Sequence, residues 1–537
     1  MHHYLISLLI FIPLLAALVA LFVSAGAKHY FRYSALLVSL LQLFVVVIML
    51  GMYTTGGGLQ LVEKKNWITL SLGSWGILKA EYFIGVDGLS LPLVVLSVVV
   101  MLIATISSWT IERNVKGYFI LLLILNTAII GSFTALDFLL FYLFFEFMLL
   151  PMFFLIAIWG GARREYASIK FFLYTLLGSI FILIAMIALY ISVHDPSYSG
   201  ELVHSFNLIN MSDPANFISN SVLDPNNPWQ IGPLDARLWA FLLLFLGFAI
   251  KLPMVPLHTW LPDAHVEAPT PVSVVLAALL LKIGGYGLLR IAFPIFPDAA
   301  LYFSWFIGLM GVISIIYGGM NAMASKDLKR LIAYSSVSHM GYVLLGLASF
   351  TAEGVAGAVY QMVSHGIISA LLFLIAGVLY DRTHDRTINN YSGLSSRMPS
   401  YTAVVLVGFF ASMGLPGFSG FIAEIMVFLG AFHSGSINGL LPEAMAVIAT
   451  AGLILSAAYY LWTLQRMFFG PYNLKGNISD DAMYDLNKRE YVVMVPLALA
   501  ALVFGIFPQL VINFIDPFAQ SFSEFVLATG KSLTLNL

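Results

Sequence analysis

The chain has 537 residues, 60% of them hydrophobic and 10% charged, with no cysteine and a formal charge of −2. A mean hydropathy of +0.93 over that length describes a polytopic membrane protein. The near-neutral charge excludes a nucleic-acid surface, and the missing thiols exclude disulfides, cysteine-ligated iron–sulfur clusters and thiol catalysis.

Apolar segments of about 20 residues, the length that crosses a bilayer as a helix, recur from end to end. They predict an all-α fold of fourteen spans in one membrane domain, 1–537. The spans fall near 4–24, 31–53, 85–109, 117–134, 136–158, 167–193, 238–262, 270–295, 301–320, 328–350, 355–380, 401–432, 446–470 and 491–514. The last has room to continue past Pro508 to about 525. The first segment, Tyr4 to Val23, follows only Met1, His2 and His3. It lacks a basic leader and a small-residue cleavage site, so it reads as a span and not a signal peptide.

Orientation follows from the basic residues. Loops after odd-numbered spans carry 17 Lys and Arg, whereas loops after even-numbered spans and the tail carry 6. The odd loops are therefore expected in the cytoplasm, or in the matrix or stroma of an organelle, and both termini on the opposite side, with the bacterial inner membrane and its periplasmic side the preferred reading. The polar stretch from Asp195 to Arg237 then reads as an outer cover, and Gly470 to Glu490 as a solvated inner loop.

Two spans are interrupted. Leu252-Pro253-Met254-Val255-Pro256 breaks span 7, and Gly414-Leu415-Pro416-Gly417-Phe418-Ser419-Gly420 breaks span 12. Paired broken helices in corresponding positions point to a transport site. The breaks are five spans apart, an odd number, so spans 4–8 (117–295) and spans 9–13 (301–470) are expected to be inverted repeats. Residues 1–109 precede them as spans 1–3, and 471–537 follow as a last span and tail.

Four ionisable residues lie where a span should be wholly apolar: Glu146 within span 5, Lys251 and Glu424 beside the breaks of spans 7 and 12, and Lys282 deep in span 8. A lysine at mid-bilayer costs roughly 2.5–3.5 kcal/mol on insertion scales, so such residues mark ion or proton paths. Burial and an opposite charge act on a lysine's proton affinity in opposite senses. A change in the Glu146–Lys251 distance therefore changes that affinity, and a proton can pass to Lys282 and on to Glu424. His339 and His365, among hydroxyl-bearing neighbours in spans 10 and 11, are candidate relays, because an imidazole takes a proton on one nitrogen and releases one from the other. The alternative is an internal structural clamp of polar side chains bonded across helices.

His258, Asp263, His265 and Glu267 have residue types that suit a divalent metal. Prolines 253, 256, 262, 269 and 271 deny the run a regular helix and an assured i, i+4 ligand pair. Proton access or helix capping by His258, Asp263 and His265 is the preferred reading, with no metal. Gly284, Gly285 and Gly287 are expected to let span 8 pack closely.

Over roughly residues 80 to 470 the sequence resembles the antiporter-like membrane-arm subunits of respiratory complex I, the proton-translocating NADH:quinone oxidoreductase, and among them the M type, called subunit 4 in mitochondria. The resemblance rests on Gly85-Val86-Asp87-Gly88-Leu89-Ser90-Leu91-Pro92, the Glu146 span, the run from Lys251 to Pro271, and Lys282-Ile283-Gly284-Gly285-Tyr286-Gly287. It continues through Ser325-Lys326-Asp327-Leu328-Lys329-Arg330-Leu331-Ile332-Ala333-Tyr334-Ser335-Ser336 and Gly414-Leu415-Pro416-Gly417-Phe418. It implies that Glu146 pairs with Lys251, that Lys282 is the central lysine, and that His339 and His365 link it to Glu424, where related types carry lysine. It also implies partner chains, including L-type and N-type antiporter-like subunits, that hold NADH, FMN, iron–sulfur clusters and quinone, with no cofactor in this chain. Rival readings are a subunit of a multi-subunit cation/proton antiporter, a subunit of a ferredoxin- or hydrogenase-linked complex, and a non-pumping spacer.

Overall fold

A computed structural model describes residues 4–71, 73, 77–198, 203–476 and 478–534. Met1, His2 and His3, and residues 199–202 of the outer cover, lie outside the described residues. Thirteen helices among the described residues are long and apolar enough to cross a membrane. In chain order they are spans 1 to 6 (Leu5–Phe22, Lys28–Met52, Ser90–Thr110, Val115–Thr134, Phe138–Trp159, Arg164–Ser192), spans 8 to 11 (Thr270–Ile295, Ser304–Ala324, Leu328–Ala348, Ala352–Thr383), and spans 12 to 14 (Ser419–Ile437, Glu443–Met467, Lys488–Ile506). Span 7 falls short of that length because it is two pieces, Ala236–Lys251 and Trp260–Glu267. Span 12 is preceded by its own first half, Pro399–Ser412. The fourteen expected spans are therefore all present, and both expected breaks fall at the anticipated residues.

Enclosure divides the spans sharply. Spans 8 and 11 are buried over their whole apolar window and span 10 over 94% of it, against 39% or less for spans 1, 2, 6, 13 and 14. The outer helices can leave apolar side chains in lipid because their backbone hydrogen bonds are satisfied internally. Spans 8, 10 and 11 form a central row that touches almost nothing but protein. Ion pairs brace its flanks: Arg290 Nη2 lies 2.6 Å from both Asp87 carboxylate oxygens, and Arg237 grips Asp298 through Nε and Nη2 at 2.9 and 2.7 Å.

Three features depart from the sequence reading. Residues expected to open span 3 instead belong to an antiparallel β-hairpin, Gln60–Ser71 with Ile77–Val86, so the chain is not purely helical. Phe83 accepts a hydrogen bond from Leu136 N at 2.9 Å, docking the hairpin on the connection between spans 4 and 5. Span 14 does not continue past Pro508: the chain breaks at Phe507 and a separate helix, Gln509–Thr534, packs against span 11 and the short helix Pro297–Tyr302. Third, Pro262 does not prevent helix over Trp260–Glu267, since it stands in the first turn, where a missing N–H costs nothing.

Candidate functional site

The two breaks build the site. At the first, Pro253 and Pro256 withhold N–H donors, the helix ends at Lys251, and Trp260 Nε1 donates to the orphaned Ile250 carbonyl at 2.9 Å. Span 8 approaches this break so closely that a Cβ on Gly284 would lie 2.6 Å from Leu252 N, which is the close packing the glycines suggested. Lys251 is left 1% exposed, with no hydrogen-bond partner for its Nζ. The ammonium sits 4.9 Å from the centre of the Phe145 ring and 5.9 Å from that of Phe171. Glu146, the residue after Phe145, acts on it electrostatically, but no ion pair within 4 Å joins them, and Glu146 Oε1 is itself unpartnered.

Span 8 is not a plain α-helix. Leu276–Leu280 and Leu288–Ala292 are π-helical, wide turns that recur at functional positions. Lys282 follows the first of them, wholly buried, and donates to the Ala277 carbonyl at 2.6 Å and to His365 Nδ1 at 2.7 Å. The His365 and His339 rings are 5.3 Å apart. His339 Nδ1 lies 3.8 Å from Glu424 Oε1 and accepts from Gln361 Nε2 at 3.0 Å. Lys282, His365, His339 and Glu424 thus form one contiguous run.

The second break seats the end of that run. Gly414 and Gly417 have φ of +71° and +99°, left-handed values that suit glycine. A Cβ on Gly414 would collide with Glu424 Oε2. The turn therefore needs glycine twice over, for its backbone and for the carboxyl lying against it.

The remaining sequence candidates scatter. Asp263 is paired with Lys170 at 2.7 Å. Glu267 Oε2 accepts from Arg163 N at 2.9 Å. His258 lies against Tyr317 and Tyr334, ring centres 5.2 and 6.2 Å away. His265 is fully buried, stacked on Phe373 at 4.4 Å, with neither nitrogen hydrogen-bonded. Among the described residues no three His, Asp or Glu side chains converge as metal ligands.

Sequence reasoning missed Lys329, which it assigned to a basic loop. Its Nζ is buried and donates to the Ala268 carbonyl at 2.6 Å. Lys329, Ile332, Ser336 and His339 share one helical face, and that spacing was the available signal. Gln361, Ser412 and Tyr460 were also missed; each is an ordinary polar residue until its neighbours are known.

Residues 135–450 match the family described as NADH:quinone oxidoreductase/Mrp antiporter, transmembrane. The NADH-quinone oxidoreductase subunit M of Rhodobacter capsulatus is 41% identical over 518 residues, 96% of this chain and 95% of that one. The chain belongs to the NADH-quinone oxidoreductase subunit M family. Members of the subunit M family are antiporter-like, proton-translocating membrane subunits. Another relative, the NAD(P)H-quinone oxidoreductase chain 4 of Synechococcus elongatus, is 40% identical over 95% of this chain and 89% of its own. A chain of respiratory complex I from Thermus thermophilus superposes with a TM-score of 0.79 at 28% identity, covering 98% of this chain and 100% of that one. A chain of the Mrp complex from Dietzia reaches the same TM-score at 20% identity, covering 100% and 99%, a likeness of fold alone. The chain is thus a membrane-spanning member of a multi-subunit enzyme complex.

Proposed function

We propose that this chain carries protons through the membrane part of an NADH:quinone oxidoreductase, along Lys282, His365, His339 and Glu424, gated by the Glu146–Lys251 pair. The observation that carries the reading is the close succession from Lys282 Nζ to Glu424 Oε1: a 2.7 Å hydrogen bond to His365, two imidazole rings with centres 5.3 Å apart, and a 3.8 Å approach of His339 Nδ1 to the carboxyl. Imidazoles between a buried amine and a buried carboxyl make a proton relay, since each ring both accepts and releases.

Lys251 has no bonded partner, so its proton affinity follows whatever charge approaches it. Movement of Glu146 toward or away from it is the step that redox chemistry elsewhere would drive. His258, with Nδ1 unpartnered, and His265, with both nitrogens unpartnered, and Asp263 beside Lys170 supply access from the side of the basic loops. The chain holds no redox centre. NADH, FMN, iron–sulfur clusters and quinone belong to partner subunits, and L-type and N-type antiporter-like chains are its neighbours. It lies in a bacterial inner membrane with both termini outside, and spans 4–8 and 9–13 are its inverted halves.

Lys282→Ala in the assembled enzyme tests this. Assembly with NADH-driven proton translocation abolished supports the reading, and unaltered translocation in sealed vesicles rejects it.

A further inference from the structure

A second hydrogen-bonded run leaves His339 on the side away from Lys282. His339 Nε2 lies 3.2 Å from Ser412 Oγ, Ser412 Oγ 2.8 Å from Tyr460 OH, Tyr460 OH 3.1 Å from Ser335 Oγ, and Ser335 Oγ 2.8 Å from the Ile332 carbonyl. Ser412, Tyr460 and Ser335 are each 1% exposed or less, so no bulk water competes for these bonds.

One carbonyl fixes every proton in this run. The Ile332 oxygen only accepts, so Ser335 must donate to it and can only accept from Tyr460. A hydroxyl has a single proton, so Tyr460, donating to Ser335, must accept from Ser412, and Ser412 must accept from His339. The His339 proton therefore sits on Nε2, leaving Nδ1 as the acceptor. That agrees with Gln361 Nε2 donating to Nδ1 from the other side. All donors point the same way, out from His339.

The run starts beside Glu424, at the break of span 12, and heads for the face where Arg386 pairs with Asp327 at 3.1 Å and residues 391–392 pair with 473–474. Ser335 is seven residues into span 10, about 10 Å from that face at 1.5 Å per residue.

We propose that Ser335, Tyr460 and Ser412 are a proton-conducting branch joining His339 and Glu424 to the face of the basic loops, with Tyr460 as its central link. The proposal rests on the proton-carrying reading above. With the run reversed, His339 bears its proton on Nδ1 and Nε2 accepts from Ser412. A proton brought across the roughly 10 Å from the face of the basic loops by water entering from that face then binds Ser335 Oγ while Ser335 passes its own to Tyr460, Tyr460 to Ser412, and Ser412 to His339 Nε2; His339 Nδ1 releases its proton to the Glu424 carboxylate. Only O–H and N–H bonds break and form, and one proton moves from water to Glu424. The orientation deduced from the Ile332 carbonyl is the one this transfer leaves behind. Gln361 serves both states, because its Oε1 is buried and unpartnered and accepts from Nδ1–H once the amide turns.

The test is NADH-driven proton translocation by the assembled enzyme in sealed vesicles. Tyr460→Phe and Ser412→Ala are expected to lose most translocation, with Ser412→Thr restoring it. Tyr401→Phe, a buried tyrosine that donates to the Ile375 carbonyl off the branch, should match the unaltered enzyme. Wild-type translocation in Tyr460→Phe beside a dead Lys282→Ala overturns the branch alone, whereas activity in Lys282→Ala overturns the reading beneath it. Equal losses in Tyr460→Phe and Tyr401→Phe, or no rescue by Ser412→Thr, assign the effect to packing and also overturn the branch. If Tyr460→Phe fails to assemble, the Ser412→Ala and Ser412→Thr pair decides.

Discussion

The two buried lysines of the centre live in opposite circumstances. Lys282 has a histidine nitrogen and a carbonyl within 2.7 Å and lies in a span enclosed along its whole apolar window. Lys251, equally buried, has only the faces of two aromatic rings, and its expected partner Glu146 stands beyond ion-pair distance. An aromatic face stabilises a cation by about 0.5–2 kcal/mol, much less than desolvation of the charge costs. The difference separates two jobs. Lys282 is held as a link, in a geometry a proton can cross, whereas Lys251 is held ready, in a state that a small movement of a carboxylate changes.

Methionine at each position breaks the comparison most severely. Lys282→Met leaves His365 Nδ1 and the Ala277 carbonyl buried without their donor, a loss of about 1–3 kcal/mol for each unsatisfied group, and it removes the link. Lys251→Met discards no hydrogen bond and replaces a buried, unbonded charge with an apolar chain of similar length, which removes a desolvation cost. Thermal denaturation of the assembled enzyme should therefore move in opposite directions for the two variants, while both lose proton translocation. Equal destabilisation would show that Lys251 has a bonded partner after all.

Gly414 offers a finer cut at the linked end. Gly414→Ala forces a left-handed φ on a residue with a Cβ, about 1–2 kcal/mol, and pushes the Glu424 carboxyl from its seat. Gly417→Ala also imposes backbone strain, at φ of +99°, with nothing within 4 Å of the new Cβ. Both should lower the melting temperature, but only Gly414→Ala should cut translocation strongly. Matching losses would mean that the turn, and not the carboxyl's position, matters.

Much of this is legible in the sequence. Fourteen apolar segments, two proline-bearing interruptions and four stranded charges follow from the physics of a bilayer, which leaves few ways to place a backbone or a charge. What escaped has a physical pattern too. Residues 60–86 alternate too irregularly to announce a hairpin, and the register shifts between Gln60 and Glu63 and between Asn66 and Ile68 explain why. Lys329 hid because one position decides whether a lysine near a span's end faces water or the core, and Asp327, capping the helix by accepting from Arg330 N at 3.0 Å, sets that position. Ser412 and Tyr460 join His339 only through the packing of three helices, a relation no local spacing encodes.

A third lysine, outside the spans, completes the series. Lys79 on the hairpin pairs with Glu81 at 2.9 Å and Asp195 at 2.8 Å, two carboxylates where Lys282 has none and Lys251 has no bond at all. Burial opposes its charge, but the hydrogen bonds to Asp195 and Glu81 prevail and push Lys79 up to about 12. The same bonds, against burial, hold both carboxyls below their ordinary values. A depressed carboxyl stabilises the fold above its ordinary pKa of about 4 and loses that contribution as pH falls through its folded value. The raised lysine contributes below its ordinary value and stops doing so as pH rises through about 12. The clamp should hold unchanged from about pH 5 to 10 and loosen in acid. Backbone hydrogen exchange in Ile77–Val86, corrected for intrinsic rates, should be flat from about pH 7 to 10, above the value of about 6 to which burial raises Asp137, whose Oδ2 accepts from Glu81 N at 3.0 Å, and quicken below about pH 4, with Asp195→Asn quickening it at neutral pH. A fully paired lysine of this kind has nowhere to send its proton, so Asp195→Asn should leave proton translocation untouched, the smallest of the expected effects and the one that separates a charge used to fasten from a charge used to carry.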